Sequence, residues 1–125
     1  MRFLVVDDSV TMRRIIVNSL QRIGYSDIVE ASDGTEALEK FEPGIGFIIT
    51  DWNMPNMSGI DFARAIRSTP NGESVPILMV TTRGAREDIV AAVEAGVNNY
   101  VLKPFTPPVL KEKIDRVLAG IGAAA

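Results

Sequence analysis

Phe47-Ile48-Ile49-Thr50-Asp51 is an unbroken apolar run that ends on a carboxylate, and the chain opens on another of the same kind, Phe3-Leu4-Val5-Val6-Asp7-Asp8. Apolar runs that are continuous rather than alternating are expected of strands covered on both faces, as in a parallel sheet. If the two runs are neighbouring parallel strands, Asp7, Asp8 and Asp51 meet at one edge of that sheet. Two carboxylates about 4 Å apart repel by about 4 kcal/mol at an effective dielectric of about 20. Such a cluster is either protonated or holds a cation. Oxygen ligands of this kind suit a hard divalent ion such as Mg²⁺, which retains water and recruits phosphate oxygens. Phosphate chemistry is therefore the first expectation.

Outward from these two runs the same pattern repeats. Short apolar runs stand at residues 28–29, 77–80 and 100–102, and amphipathic stretches lie between them. Met12, Ile15, Ile16, Leu20 and Ile23 share one helical face, and Gly24 is placed to stop that helix. Ala37, Leu38 and Phe41 mark a short second helix that Pro43-Gly44 ends. Ile60, Ala63 and Ile66 mark a third, with Ser58 as its N-cap. Ile89, Val90 and Val93 mark a fourth, closed by Gly96. The fifth opens on Thr106-Pro107, a cap followed by proline at the first helical position, and is expected to bury Leu110, Ile114, Val117 and Leu118. Five strand–helix alternations imply a parallel sheet with helices on both faces. Ligands of such sheets bind at the carboxyl ends of the strands. Asp7, Asp8, Asp51, Thr81 and Lys103 all fall just after strand ends.

Composition excludes several classes. The 125 residues fit one domain, and 46% hydrophobic residues supply a core rather than a disordered chain. A net charge of −3 argues against nucleic acid, whose partners carry a basic stripe. No apolar stretch is long enough to span a bilayer, and residues 3–6 are too short a run for a signal peptide. The absence of cysteine removes disulfides and thiolate chemistry and makes a cytoplasmic location the expectation. The absence of histidine removes a Ser-His-Asp triad, a histidine-bound zinc and an internal phosphohistidine.

The segments VVDDS (5–9), TDWNMPNMSG (50–59), MVTT (79–82) and YVLKPF (100–105), in this order and each at a strand end, resemble the receiver domain of two-component response regulators, most closely the stand-alone chemotaxis type. The resemblance covers residues 2–119, so that 1–125 is expected to be a single receiver domain with a frayed tail, Ala123-Ala124-Ala125. It implies a flavodoxin-like (βα)5 doubly wound α/β fold whose five parallel strands run in the order 2-1-3-4-5, as is known for this family. It further implies that Asp51 is the phosphoryl acceptor and that Asp8, Asp51 and the backbone carbonyl of Asn53 bind Mg²⁺, with Asp7 acting through water. Thr81 and Lys103 would contact the phosphoryl group, and Thr81 with Tyr100 would form the switch. Lys103-Pro104 would be a cis peptide. Asn53, Thr82 and Arg83 would flank the path of a hydrolytic water and tune dephosphorylation.

The chemistry agrees with that resemblance. A carboxylate can accept a phosphoryl group as a mixed anhydride, and phosphoryl transfer depends chiefly on positioning and electrostatics. The donor must lie outside a chain without histidine. The implied role is a phosphorylation-activated switch rather than a conventional enzyme. Its expected partners are a histidine kinase, a phosphatase, and an output protein such as a flagellar motor switch, with no nucleic acid, no membrane and a monomeric state. The output face would be the fourth helix, fifth strand and fifth helix, with Arg86, Tyr100, Lys111 and Lys113 on or near it. A phosphorelay intermediate would use the same motif residues. A Mg²⁺-dependent phosphohydrolase would want a DxD motif and a cap domain, whereas the sequence has Asp7-Asp8-Ser9 and no insertion of that length. A flavodoxin-like carrier would want a first loop rich in Ser, Thr and Gly, not an acidic one. Arg13 and Arg14 read as a solvated helix face.

Overall fold

The computed structural model describes residues 1–120, so the alanine tail lies outside the described residues. Strands β1 (Arg2–Val6), β2 (Ile28–Ala31), β3 (Ile45–Asp51), β4 (Ile77–Thr81) and β5 (Asn99–Leu102) alternate with helices α1 (Val10–Arg22), α2 (Gly34–Lys40), α3 (Gly59–Arg67), α4 (Arg86–Glu94) and α5 (Pro107–Leu118). The strands are all parallel and lie in the order β2-β1-β3-β4-β5, as the resemblance implied.

The continuous apolar runs have a plain cause. Along β1, Phe3 and Val5 face one cluster and Leu4 and Val6 the other; along β4, Leu78 and Val80 oppose Ile77 and Met79. Ile16 and Leu20 of α1 with Leu110, Ile114 and Val117 of α5 cover one face of the sheet. Ala37 of α2, Ile60, Phe62, Ala63 and Ile66 of α3, and Ala92 of α4 cover the other. With an apolar side chain pointing each way, a period of two disappears from the sequence.

Register then aims the strand ends. Val6 pairs with Thr50, so Asp7 emerges beside Asp51. Asp51 pairs with Val80 and Thr81 with Leu102, which puts Thr81 and Lys103 on the same rim. Helix starts follow: Ser9 caps α1 by accepting from the Met12 amide at 3.2 Å, so neither adjacent aspartate is used as the cap. Ser58 caps α3 as expected, accepting from the Asp61 amide at 3.2 Å. The turn into α3 closes tightly, with the Gly59 amide donating to the Trp52 carbonyl at 2.8 Å. A Cβ on Gly59 would lie 2.1 Å from the Asp51 carbonyl oxygen, so only glycine lets this turn hold the end of β3.

Several expected faces are corrected. On α1, Ile16 and Leu20 are buried as expected with Met12 and Ile23 packed against the same cluster, but Ile15 is exposed and Ser19 faces inward as well. On α4, Val90 and Val93 are exposed at 47% and 40%, and the helix buries Ala92 instead. The buried side of α4 is thus a small residue, and the larger Val90 and Val93 face outward. Leu118 ends α5 exposed, beyond the last buried turn at Val117. Thr106 precedes α5 in extended geometry but makes no side-chain cap bond. The Lys103-Pro104 peptide is cis.

Candidate functional site

Each acidic residue arrives by a different constraint. Asp7 is the first residue past β1 and is fully buried; its amide donates to the Ala31 carbonyl at 3.2 Å and its Oδ1 accepts from the Ser9 amide at 2.9 Å. Asp8 follows it and is exposed. Asp51 ends β3, nearly buried, with Oδ1 accepting from the Trp52 amide at 2.7 Å. One carboxylate oxygen from each of the three lies within 4.8 Å of the others. Lys103 approaches from the end of β5, with Nζ 3.3 Å from Asp51 Oδ1 and 3.5 Å from Asp7 Oδ2. Its direction is set by a backbone bond from its amide to the Thr81 carbonyl at 2.9 Å.

One ammonium does not balance three carboxylates. Asp7 Oδ2 is buried and has no hydrogen-bond partner, an uncommon and costly condition for a polar atom. Burial, above all, pushes the Asp7 carboxyl above the usual carboxylate range; Asp51 and Asp8 push it the same way, against the Ser9 amide and Lys103. The donor set is all oxygen, acidic and partly open through Asp8, and it fits a hard divalent cation such as Mg²⁺.

The remaining expected residues lie around this centre. Thr81 is buried at the end of β4, and its Oγ1 accepts from the Arg83 amide at 3.0 Å. Thr82 is exposed. Asn53 is exposed and accepts from Arg83 through Oδ1 at 3.1 Å, while the Arg83 guanidinium lies 4.8 Å from the centre of the Trp52 ring. Tyr100 is half-buried on β5, further from the rim than Lys103, with Lys113 Nζ 5.0 Å from its ring centre. Arg86 opens α4, and Lys111 pairs with Asp115 on α5.

Arg13 was missed as a site residue. It is half-buried rather than solvated, donates to the Asp7 carbonyl at 2.7 Å and pairs with Glu30 of β2 at 3.0 Å. The available signal was positional: a basic residue one turn into the helix that follows an acidic strand end, with Glu30 on the adjacent strand. Arg14 is exposed, as expected.

The strained Asp7 carboxyl gives a pH dependence whose sign is fixed. A group whose pKa is higher in the folded protein binds its proton more tightly there, so stability falls as pH rises from its unfolded value through the raised folded one. In the presence of a chelator, Asp7→Asn is expected to be more stable than the unsubstituted protein at pH 7 by about 1–3 kcal/mol, the scale of one unsatisfied buried group. The gap should close as pH falls below about 4, where the unfolded carboxyl also protonates. Urea unfolding at both pH values checks this; a gap that widens in acid would contradict it.

A protein-family model described as the response regulator receiver domain matches residues 3–115. The chemotaxis protein CheY1 of Helicobacter pylori is 52% identical over 120 residues, covering 94% of this chain and 97% of that protein. The chemotaxis protein CheY homolog of Campylobacter jejuni is 52% identical over 130 residues, covering 99% of both chains. Among solved structures, the chemotaxis protein CheY4 of Vibrio cholerae superposes with a TM-score of 0.87 at 37% identity, covering 93% of this chain and 97% of that one. With the family model spanning nearly all of the described residues and half the positions shared with those relatives, the chain belongs to the response regulator receiver family.

Proposed function

We propose that this chain is a chemotaxis response regulator that takes a phosphoryl group onto Asp51 from the phosphohistidine of a kinase, in a Mg²⁺-dependent reaction, and so changes its binding to a flagellar motor switch. The observation that carries the reading is the position of the Asp51 carboxylate, at a strand end with Lys103 Nζ 3.3 Å away and two further carboxylates beside it. The chemotaxis assignment is supported by the names of relatives that match this chain over nearly its whole length. A cytoplasmic location follows from that role; among the described residues no helix is long and apolar enough to cross a membrane.

In the transfer, an Asp51 carboxylate oxygen forms the new P–O bond as the P–N bond to the donor imidazole breaks, and the imidazole leaves with the electron pair. Lys103, a point charge on a flexible stem, shifts from the carboxylates toward a phosphoryl oxygen. The Thr81 hydroxyl accepts from the Arg83 amide, which leaves its own hydrogen for another phosphoryl oxygen. Asp8, Asp51 and the Asn53 carbonyl would hold Mg²⁺, with Asp7 acting through water. Bound there, the ion would offset the charge of the acidic pocket and of the transferring group.

Moving the Thr81 side chain toward the phosphoryl group opens space that half-buried Tyr100 can enter, and differential contact with the phosphoryl group biases the two packings. The output surface is the α4–β5–α5 face, which carries exposed Val90 and Val93 on α4, exposed Leu102 on β5, and Lys113 against the Tyr100 ring. A dedicated phosphatase would end the signal, and Asn53, Thr82 and Arg83 tune its spontaneous loss. Thr82, exposed at the start of the β4–α4 loop, narrows the approach of water to phosphorus.

Asp51→Asn is expected to fold but to lose labelling by a phosphohistidine donor, read by intact mass; stoichiometric labelling of that variant would overturn the acceptor. Thr82→Ala, labelled and then freed of donor in excess Mg²⁺, should lose its phosphoryl group faster than the unsubstituted protein. An equal or slower loss leaves Thr82 without a role.

A further inference from the structure

Arg83 spans the mouth of the site and ends on α4. Its Nη2 donates to Asn53 Oδ1 at 3.1 Å and its guanidinium lies over Trp52, the two residues that directly follow Asp51. Its Nη1 stands 3.6 Å from Asp88 Oδ1 in the first turn of α4. Its backbone is tied too, since its amide donates to the Thr81 hydroxyl at 3.0 Å. Helix α4 has little else to fix its start: Ala85 at the N-cap makes no side-chain bond, whereas α1, α2 and α3 are capped by Ser9, Asp33 and Ser58. One side chain thus connects the loop after the acceptor to a helix start that has no side-chain cap of its own.

We propose that Arg83 is a latch on α4: paired with Asp88 before phosphorylation, and drawn to the phosphoryl group afterwards, releasing the first turn of the helix. The inference rests on the reading of Asp51 as acceptor. A phosphoryl group brings nearly two negative charges and three acceptor oxygens, and a guanidinium can bind it through two parallel bonds. The competing Arg83–Asp88 pair is a partly exposed single contact, with side chains 41% and 26% exposed, and such pairs are weak. The backbone acts in the same direction. When the Thr81 hydroxyl turns to the phosphoryl group, the Arg83 amide loses its acceptor, so the loop loosens at both ends of Arg83. The helix released is the one whose Val90 and Val93 are exposed, so the change reaches an apolar surface. Arg83 is a positioning residue here, since it acts on α4 through Asp88.

Amide hydrogen exchange tests the latch. The Ile89 amide donates to the Ala85 carbonyl at 3.1 Å and reports the first turn. In unlabelled Asp88→Asn its exchange should be about two- to fivefold faster than in the unsubstituted protein, the range of a surface ion pair. The unsubstituted protein labelled with acetyl phosphate should show a similar acceleration, and labelled Asp88→Asn no further one. An Ile89 rate unchanged by Asp88→Asn in unlabelled protein overturns the latch. So does labelled Asp88→Asn accelerating as much as the labelled unsubstituted protein. Intact mass on the same samples separates the two readings: absence of label counts against Asp51 as acceptor, while the unlabelled pair still decides the latch.

Discussion

Three carboxylates face one ammonium at the end of the sheet. This imbalance governs the rest of the site. A buried Asp7 oxygen without a hydrogen-bond partner is tolerable in a native protein when something outside the chain completes it. A divalent cation and a phosphoryl group are complementary answers to that demand. On the proposed reading, a cation held by the carboxylates would offset the acidic pocket, and Lys103 and the Thr81 hydroxyl would hold the oxygens of the incoming phosphoryl group. The same residues that make the unliganded site costly therefore make the liganded one specific.

The backbone is what keeps the imbalance from relaxing. Asp7 is held by its own amide to Ala31 and by the Ser9 amide, with Arg13 on its carbonyl. Asp51 is fixed by its strand register and by the tight turn at Gly59. Lys103 is fixed by its bond to the Thr81 carbonyl. Repelling side chains on mobile loops would separate; at the ends of paired central strands they remain together. The start of α4, by contrast, has no side-chain cap, and in the proposed latch it is held through Arg83 and Asp88.

Much of this was legible in the sequence because strand ends are marked twice, by the end of an apolar run and by the chemistry of the next residue. Residues 3–8 and 47–51 placed the acidic cluster, and the four motif segments carried the family and, through it, the strand order. What escaped notice depends on packing depth and on contacts between distant segments. Val90 and Val93 of α4 read as a core face, yet the residue the helix buries is Ala92, and no periodicity of large apolar residues marks it. Arg13 read as solvated because its reach to the Asp7 carbonyl and Glu30 shows only once β2 is set beside β1. The bridge from Arg83 to Asn53 and Asp88 joins two loops and a helix, which no single segment displays.

The acidic cluster, on the proposed reading, is a destabilising arrangement that receives a divalent cation. Calorimetric titration of Mg²⁺ into the unsubstituted protein and into Asp8→Ala tests it most directly, with urea unfolding of both proteins in chelator as its companion. The account predicts that Asp8→Ala binds Mg²⁺ at least about tenfold more weakly, a difference of about 1.4 kcal/mol, while its metal-free form is as stable as the unsubstituted protein or more so. Unchanged Mg²⁺ affinity in Asp8→Ala, or a metal-free form clearly less stable than the unsubstituted protein, would contradict it.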